Sequence, residues 1–313
     1  MNSLVMNNFE IASPIGDIRN AMGMKIEDIA AETGYGLERI KEIENGGEAT
    51  LAEMRDIALT MCTGTRCVRG DYFFSTQFSV LDYLLSNDKK KVGGSGFWGH
   101  IGILPAGSDK HLWFPISADT HEKICSRGES EKRILLPCMN DKVLLLNLDN
   151  IKEMILLDEG VDCPDYADWD AAVNCGDIPP VLYEALDDFI LCEEDSSLGD
   201  RSTMSDKFYN VMKRVAKEEN WNAETVDQMK RIITHYRDGH EISAKADFFR
   251  ESSLIAEISM LYGFGADMDS DDIVTFRDLG GAEISVNLNE VSMVELPLSD
   301  VEEAILRSNQ YDE

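Results

Sequence analysis

No run in this 313-residue chain approaches the roughly 20 consecutive apolar residues that a membrane-spanning helix needs, so no membrane segment is expected. The opening MNSLVMNNFE lacks the basic start and long apolar stretch of a secretory signal, which points to a cytoplasmic protein. The seven cysteines are scattered and form no Cys-x-x-Cys pair, which suits free thiols in a reducing compartment better than a disulfide framework. Positive charge is scarce: 29 Lys and Arg stand against 59 Asp and Glu, a net charge of -30. That balance excludes a surface that coats nucleic acid or anionic membrane as a whole, and leaves room for one local basic face. Gly-x-Ser-x-Gly, a phosphate-binding Walker loop and a Ser-Lys peptidase signature are also missing, so neither an enzyme nor a cofactor is expected.

What is present is an ordinary globular composition, 43% apolar and 28% charged, in a chain long enough for two or three domains. Punctuation divides it. In residues 9–66, Ser13-Pro14 opens a first helix carrying Ile15, Ile18 and Met22. A second runs from Lys25 to Thr33 and breaks at Gly34-Tyr35-Gly36; a third runs from Leu37 to Glu44 and stops at Asn45-Gly46. A fourth starts at Thr50, with Leu51, Met54, Ile57, Ala58 and Met61 at helical spacing. Residues 67–91 read as a connector with an apolar stretch, Phe78 to Leu85, before Lys89-Lys90-Lys91. Strand signals dominate 92–158, with hairpins around Ala106–Asp109 and Asn140-Asp141. Residues 159–202 read as an acidic linker, and helical periodicity returns over 203–235, Ile232 and Ile233 included.

Within 203–305 the strand pattern then recurs. Ile134, Leu136, Leu144, Leu146, Asn147-Leu148, Ile151, Met154 and Leu156 are matched 140 residues later by Val274, Phe276, Ile284, Val286, Asn287-Leu288, Val291, Val294 and Leu296. Upstream, Arg237-Asp238-Gly239 and His240 to Ala244 echo Ser108 to Ser117. The fold expected is α+β: an all-α N-terminal bundle followed by two tandem β-rich α+β modules that read as a repeat.

The N-terminal helices resemble the Cro/C1-type helix-turn-helix family of phage repressors and bacterial regulators. The residues that carry the resemblance are Ile18-Arg19, Gly23-Met24, Ile29-Ala30, Gly34, Ile40, Ile43-Glu44-Asn45-Gly46 and Leu51, Met54, Ile57, Ala58, over about a sixth of the chain. The resemblance implies a structural pair, Arg19 with Glu44, and a recognition helix beginning at Gly36, Leu37 and Glu38. It places the DNA contacts at Lys25, Ile26, Gly36, Leu37, Glu38, Arg39, Lys41 and Glu42. Lys25 and Ile26 stand where the family carries a Thr/Ser-Gln pair. Lys25, Arg39 and Lys41 can reach phosphates, whereas Glu38 and Glu42 repel them or accept from cytosine. Residues 1–66 hold six basic against eleven acidic residues, the reverse of a usual DNA-reading domain.

Other constellations read as structural. Gly94-Ser95-Gly96-Phe97-Trp98-Gly99 has the spelling of a dinucleotide loop, but lysines precede it and a strand follows, so a linker is expected. Asp267, Asp269, Asp271 and Asp278 lack the Gly and Glu of a calcium loop. His111, His121, Cys125, His235 and His240 have no compact metal spacing, and no metal site is expected. The stretch Asp158 to Asp170, with Tyr166 and Trp169 interleaved, reads as a solvated loop or as a surface for a basic partner.

Two functions follow as expectations. The first is a regulator binding double-stranded DNA as a homodimer, with an acidic C-terminal region for dimerisation, partner contact or sensing. The second is a non-enzymatic interaction protein or acidic DNA-mimic-like inhibitor that engages a basic protein.

Overall fold

A computed structural model of the chain describes residues 15–69, 97–128, 131–158, 160–167, 169, 178–194, 200–246, 254, 258 and 272–311. The fold is α+β, with N-terminal helices followed by β-rich regions. Helices α1 (Ile15–Ala21), α2 (Ile26–Thr33), α3 (Leu37–Glu44), α4 (Leu51–Thr60) and α5 (Thr65–Arg69) bury Ile15, Ile18, Ile29, Ile40, Ile43 and Ile57 together. Gly34 takes a left-handed φ of 80° between α2 and α3, a conformation that costs glycine nothing. Thr50 caps α4, its hydroxyl accepting from Glu53 N–H while the Glu53 carboxylate accepts from Thr50 N–H.

Among the described residues the strands form three antiparallel sheets: β1 (Phe97–Pro105) between β2 (Leu112–Ser117) and β5 (Ile151–Asp158), a five-stranded sheet, and a two-stranded one. The five-stranded sheet runs β3 (Arg133–Cys138), β4 (Lys142–Asn147), β10 (Val291–Pro297), β6 (Ile232–Tyr236) and β7 (Glu241–Ala244). The two-stranded sheet pairs β8 (Ile273–Arg277) with β9 (Glu283–Asn287). Helices α6 (Ala118–Ser126), α7 (Pro180–Glu184), α8 (Leu186–Glu194), α9 (Asp206–Glu218), α10 (Ala223–Met229) and α11 (Leu298–Tyr311) complete the described elements.

The internal likeness extends to register. A 3-10 turn follows β4 at Leu148–Asn150 and β9 at Leu288–Glu290, each entered by an Asn side chain that accepts from the backbone two residues on. Leu148 N–H donates to Lys132 C=O, and Leu288 N–H to Asp272 C=O. The β1–β5 ladder skips Lys152 between its Pro105–Ile151 and Leu104–Glu153 pairs. The β6–β10 ladder skips Ser292, 140 residues on, between Tyr236–Val291 and His235–Met293. The same extra residue therefore bulges from the same strand of each segment. The hairpin turns agree as well, with Asp141 at φ 58° and Gly281 at φ 88°. Where the two segments meet, the β1–β2 and β6–β7 turns touch backbone to backbone: a Cβ on Gly107 would collide with the backbone of Gly239.

Four details depart from the sequence reading. Ile232 and Ile233 lie in a strand, because the β-branched alternation Ile-Ile-Thr-His-Tyr outweighs a helical spacing that ends at Met229. The acidic segment contains two helices, α7 and α8, that bury Val181, Leu182, Tyr183, Leu186 and Phe189 while Asp187 stays outside. The connector begins inside a helix, with Cys67 and Val68 buried in the main core; Phe78 to Leu85 and the three lysines lie outside the described residues. Helix α6 has no counterpart in the sequence reading. No helix among the described residues is long and apolar enough to cross a membrane.

Helices α4 and α5 weld the N-terminal bundle to the rest. Arg55, 4% exposed, donates to Asp188 Oδ2 at 2.7 Å and to Thr203 Oγ1 at 3.0 Å. Asp56 accepts from Tyr35 Oη and from Ser205 Oγ, each at 2.6 Å. Arg66 bonds Glu302 at 2.8 Å and Ser299 C=O at 2.7 Å. Nearby, Lys230 lies 3.4 Å from Asp300 and 3.7 Å from Asp141 and Asp187. Burial works to discharge Lys230, but the three carboxylates outweigh it and raise its pKa.

Substituting Arg55→Ala is expected to lower unfolding stability by about 2–3 kcal/mol, since it strips buried hydrogen bonds and leaves the partly exposed Asp188 without this partner. Asp188→Asn should cost less than half of that. Urea unfolding midpoints measure both.

Candidate nucleic-acid interface

The face in question is built from α2, the Gly34–Gly36 turn and α3. Helix α3 holds its place through Ile40 and Ile43, both buried, and turns its remaining residues outward. It is anchored at its far end by Glu44, which receives Arg19 Nη2 at 2.7 Å and Arg19 Nε at 3.3 Å. Arg19 also donates to Met24 C=O at 3.1 Å, so one guanidinium ties α1, the α1–α2 turn and α3 together. Gly16 leaves the space for this: a Cβ there would stand 2.7 Å from Glu44 Oε1. The pair expected at Arg19 and Glu44 is formed.

Lys25 is exposed at the N-cap of α2, and its ammonium has no ion-pair partner among the described residues. Ile26 is half-buried against the core. Gly36 is the exposed N-cap of α3, and Leu37, its first residue, is half-buried. Glu38 is the most open side chain of α3, 86% exposed, and Glu42 follows at 60%.

The two cations of α3 are already engaged. Arg39 donates from Nε and Nη2 to the two oxygens of Glu53 at 2.8 and 3.0 Å, from Nη1 to Glu42 at 2.7 Å, and from Nη2 to Glu48 C=O at 2.8 Å. The fork-on-fork contact with Glu53 is the strong, planar kind of arginine pairing. Lys41 reaches one turn back to Glu38 at 2.8 Å. These hydrogen bonds raise the pKa of both cations, Arg39 through Glu53 first and then Glu42, Lys41 through Glu38. In return the hydrogen bond from Arg39 holds the Glu53 carboxyl down at about 2, with burial opposing and the Thr50 cap assisting. Among the expected contact residues there are thus one ammonium without an ion-pair partner, Lys25, two ion-paired cations and two exposed carboxylates, with Glu27 and Asp28 of α2 exposed beside them.

Glu53 was not among the residues expected here. Its signal is the Thr50-x-x-Glu53 capping pattern, which places a carboxylate at the start of α4. That the same carboxylate clamps Arg39, fourteen residues away, depends on how α3 and α4 cross.

The other sequence candidates are scattered. His111 meets Glu153 at 3.1 Å, His235 meets Glu295 at 2.7 Å, and His121 lies 3.5 Å from Cys125 on α6 while stacking on Trp98. No group of three or more His, Cys, Asp or Glu is placed to hold a metal among the described residues. Gly94 to Gly96 and Asp267, Asp269 and Asp271 lie outside the described residues, as do Asp168 and Asp170. Tyr166 and Trp169, 69% and 37% exposed, lie over the outer face of the β2-β1-β5 sheet. Tyr166 donates to Glu153 at 2.9 Å, and Trp169 stands edge-on to Trp113 and His100. A small cleft lined by Asp141, Tyr183, Glu184, Ser299 and Glu302 has its carboxylates bonded by Ser299, Thr65 and Arg66, and serves packing.

The chain matches no protein-family model, no curated protein and no solved structure.

Because Glu53 is held near 2 against an ordinary value of 4.5, its stabilising effect is full above about pH 4.5 and fades as pH falls toward 2. Glu53→Gln should therefore lower stability by about 1 kcal/mol near neutral pH, with the gap shrinking below about pH 4.5 and closing only below about pH 2. Chemical unfolding at a series of pH values measures the gap.

Proposed function

We propose that α2 and α3 form a Cro/C1-type helix-turn-helix and that the chain is a non-enzymatic regulator binding double-stranded DNA through them. The observation that carries this reading is which part of the bundle stays open. Helices α4 and α5 are consumed by contacts with Asp188, Thr203, Ser205 and Glu302, whereas the outer face of α3 keeps its side chains in solvent. The open element is the one that enters the major groove in the family resembled. Lys25 and Lys41 supply phosphate contacts, Arg39 exchanges Glu42 for a phosphate or a guanine edge, and Glu38 and Glu42 set sequence preference at cytosines. Two copies on a palindromic site would present their α3 helices about 34 Å apart. The acidic C-terminal region serves dimerisation, partner contact or sensing.

A second reading is favoured by one specific observation: both cations of α3 are neutralised by neighbouring glutamates, and Glu38 is its most exposed side chain. Such a face suits a basic protein surface, and the exposed Tyr166 and Trp169 would extend the contact.

Gel retardation with DNA from upstream of the chain's own gene, at about 50 mM salt, separates the two. On the first reading the wild type retards DNA, and Arg39→Ala with Lys41→Ala weakens binding roughly tenfold or more and lowers the salt slope by about two. Glu38→Gln with Glu42→Gln strengthens it. No retardation by the wild type or by the Gln variant rejects the DNA reading.

A further inference from the structure

Strand β10 has both edges filled, by β6 on one side and by β4 on the other. Its equivalent in the first segment, β5, is bonded among the described residues by β1 alone, the equivalent of β6. The equivalent of β4 is β9, and among the described residues β9 is bonded by β8 alone. Among the described residues, β4 and β10 thus form a closed seam, whereas their repeat-related counterparts, β9 and β5, both lie at sheet edges with the same sequence relationship to each other. The two edges are not blunted by proline, and β5 carries half-buried Met154 and Leu156 on one face and half-buried Ile155 on the other. A free edge of this kind is a template for another strand.

We propose that β5 of one molecule pairs antiparallel with β9 of a second copy of this chain. The register comes from the seam already closed. There Val294 faces Leu145 and Glu295 faces Leu144. Shifted by 140 residues, these pairs become Met154 opposite Ser285 and Ile155 opposite Ile284. Lys152, bulged out of the β1–β5 ladder, then comes alongside Asn287 at the end of the new ladder. A second copy is the occupant because each molecule supplies both halves of the ladder, and a two-fold arrangement makes the contact twice. Within one chain, β9 and β5 share no ladder among the described residues. The β8–β9 hairpin is anchored to the end of β7 by the Ala246–Asp278 bridge and the Leu279 N–H to Lys245 C=O bond. The contact uses strand edges remote in sequence from α2 and α3, and it stands whether or not those helices read DNA.

Facing residues of an antiparallel pair bring their Cβ atoms to about 4.5–5.5 Å, close enough for a disulfide after small adjustment. The test mixes full-length Met154→Cys carrying a tag with untagged full-length Ser285→Cys under mild oxidation. The expected result is a disulfide joining tagged to untagged chain, absent when either variant is oxidised alone, which controls for the native thiols. If the double variant instead closes the bond within a single chain, the edges meet in cis and the proposal falls. No bond in either format also overturns it. Light scattering supplies an independent arm: the wild type should show twice the chain mass at tens of micromolar. Ile155→Lys should show the single-chain mass with an unchanged circular dichroism spectrum. A variant that stays folded and dimeric places the interface elsewhere.

Discussion

Helix α4 belongs to two interiors at once, and the rest of the molecule depends on that. Met54, Ile57 and Ala58 pack with the isoleucines of α1 to α3, while Arg55 and Asp56 on the adjoining face are buried against α8, the Asp200–Ser205 turn and α9. A buried guanidinium and a buried carboxylate side by side are tolerable because both are hydrogen-bonded across the junction, Arg55 to Asp188 and Thr203 and Asp56 to Ser205. Contacts on both sides of α4 tie α1, α2 and α3 to α8 and α9 through one helix. The bundle is not a bead on a tether.

The same constraint shapes the electrostatics of the exposed face. With α4 in place, Glu53 arrives beside Arg39 as a by-product of capping its own helix, and one carboxylate then serves two structural duties. Anything that draws Arg39 outward must compete with a bidentate partner, a second glutamate and a backbone carbonyl. An ammonium such as Lys25 meets no such competition. The chemical character of the surface is thus set less by which charges it contains than by which of them are already spoken for.

Much of this was legible in the residues. The limits of α3 follow from Gly36 before it and Asn45-Gly46 after it, since these residues stop a helix for local reasons. The inward Ile40 and Ile43 came from spacing, and the Arg19–Glu44 pair from the resemblance alone. The likeness between the two strand-rich segments was visible in alternation alone, because period-two patterning survives whatever the strands pack against. What was not legible shares one cause. Val181, Tyr183 and Phe189 were hidden in an acidic stretch because composition masks a stripe of apolar residues that only a neighbouring surface makes necessary. Partners such as Glu53 for Arg39, or Asp188 for Arg55, are separated by 14 and 133 residues, and no local rule connects them.

The meeting of Gly107 with Gly239 has a mechanical consequence. Two equivalent hairpin tips press together with no side chain between them, so their spacing equals the thickness of bare polypeptide. A spacer made of side chains can compress, rotate or be exchanged for one of another size; this one has a single possible width. The two halves are thereby gauged against each other at one point, like the leaves of a hinge closed on its stop.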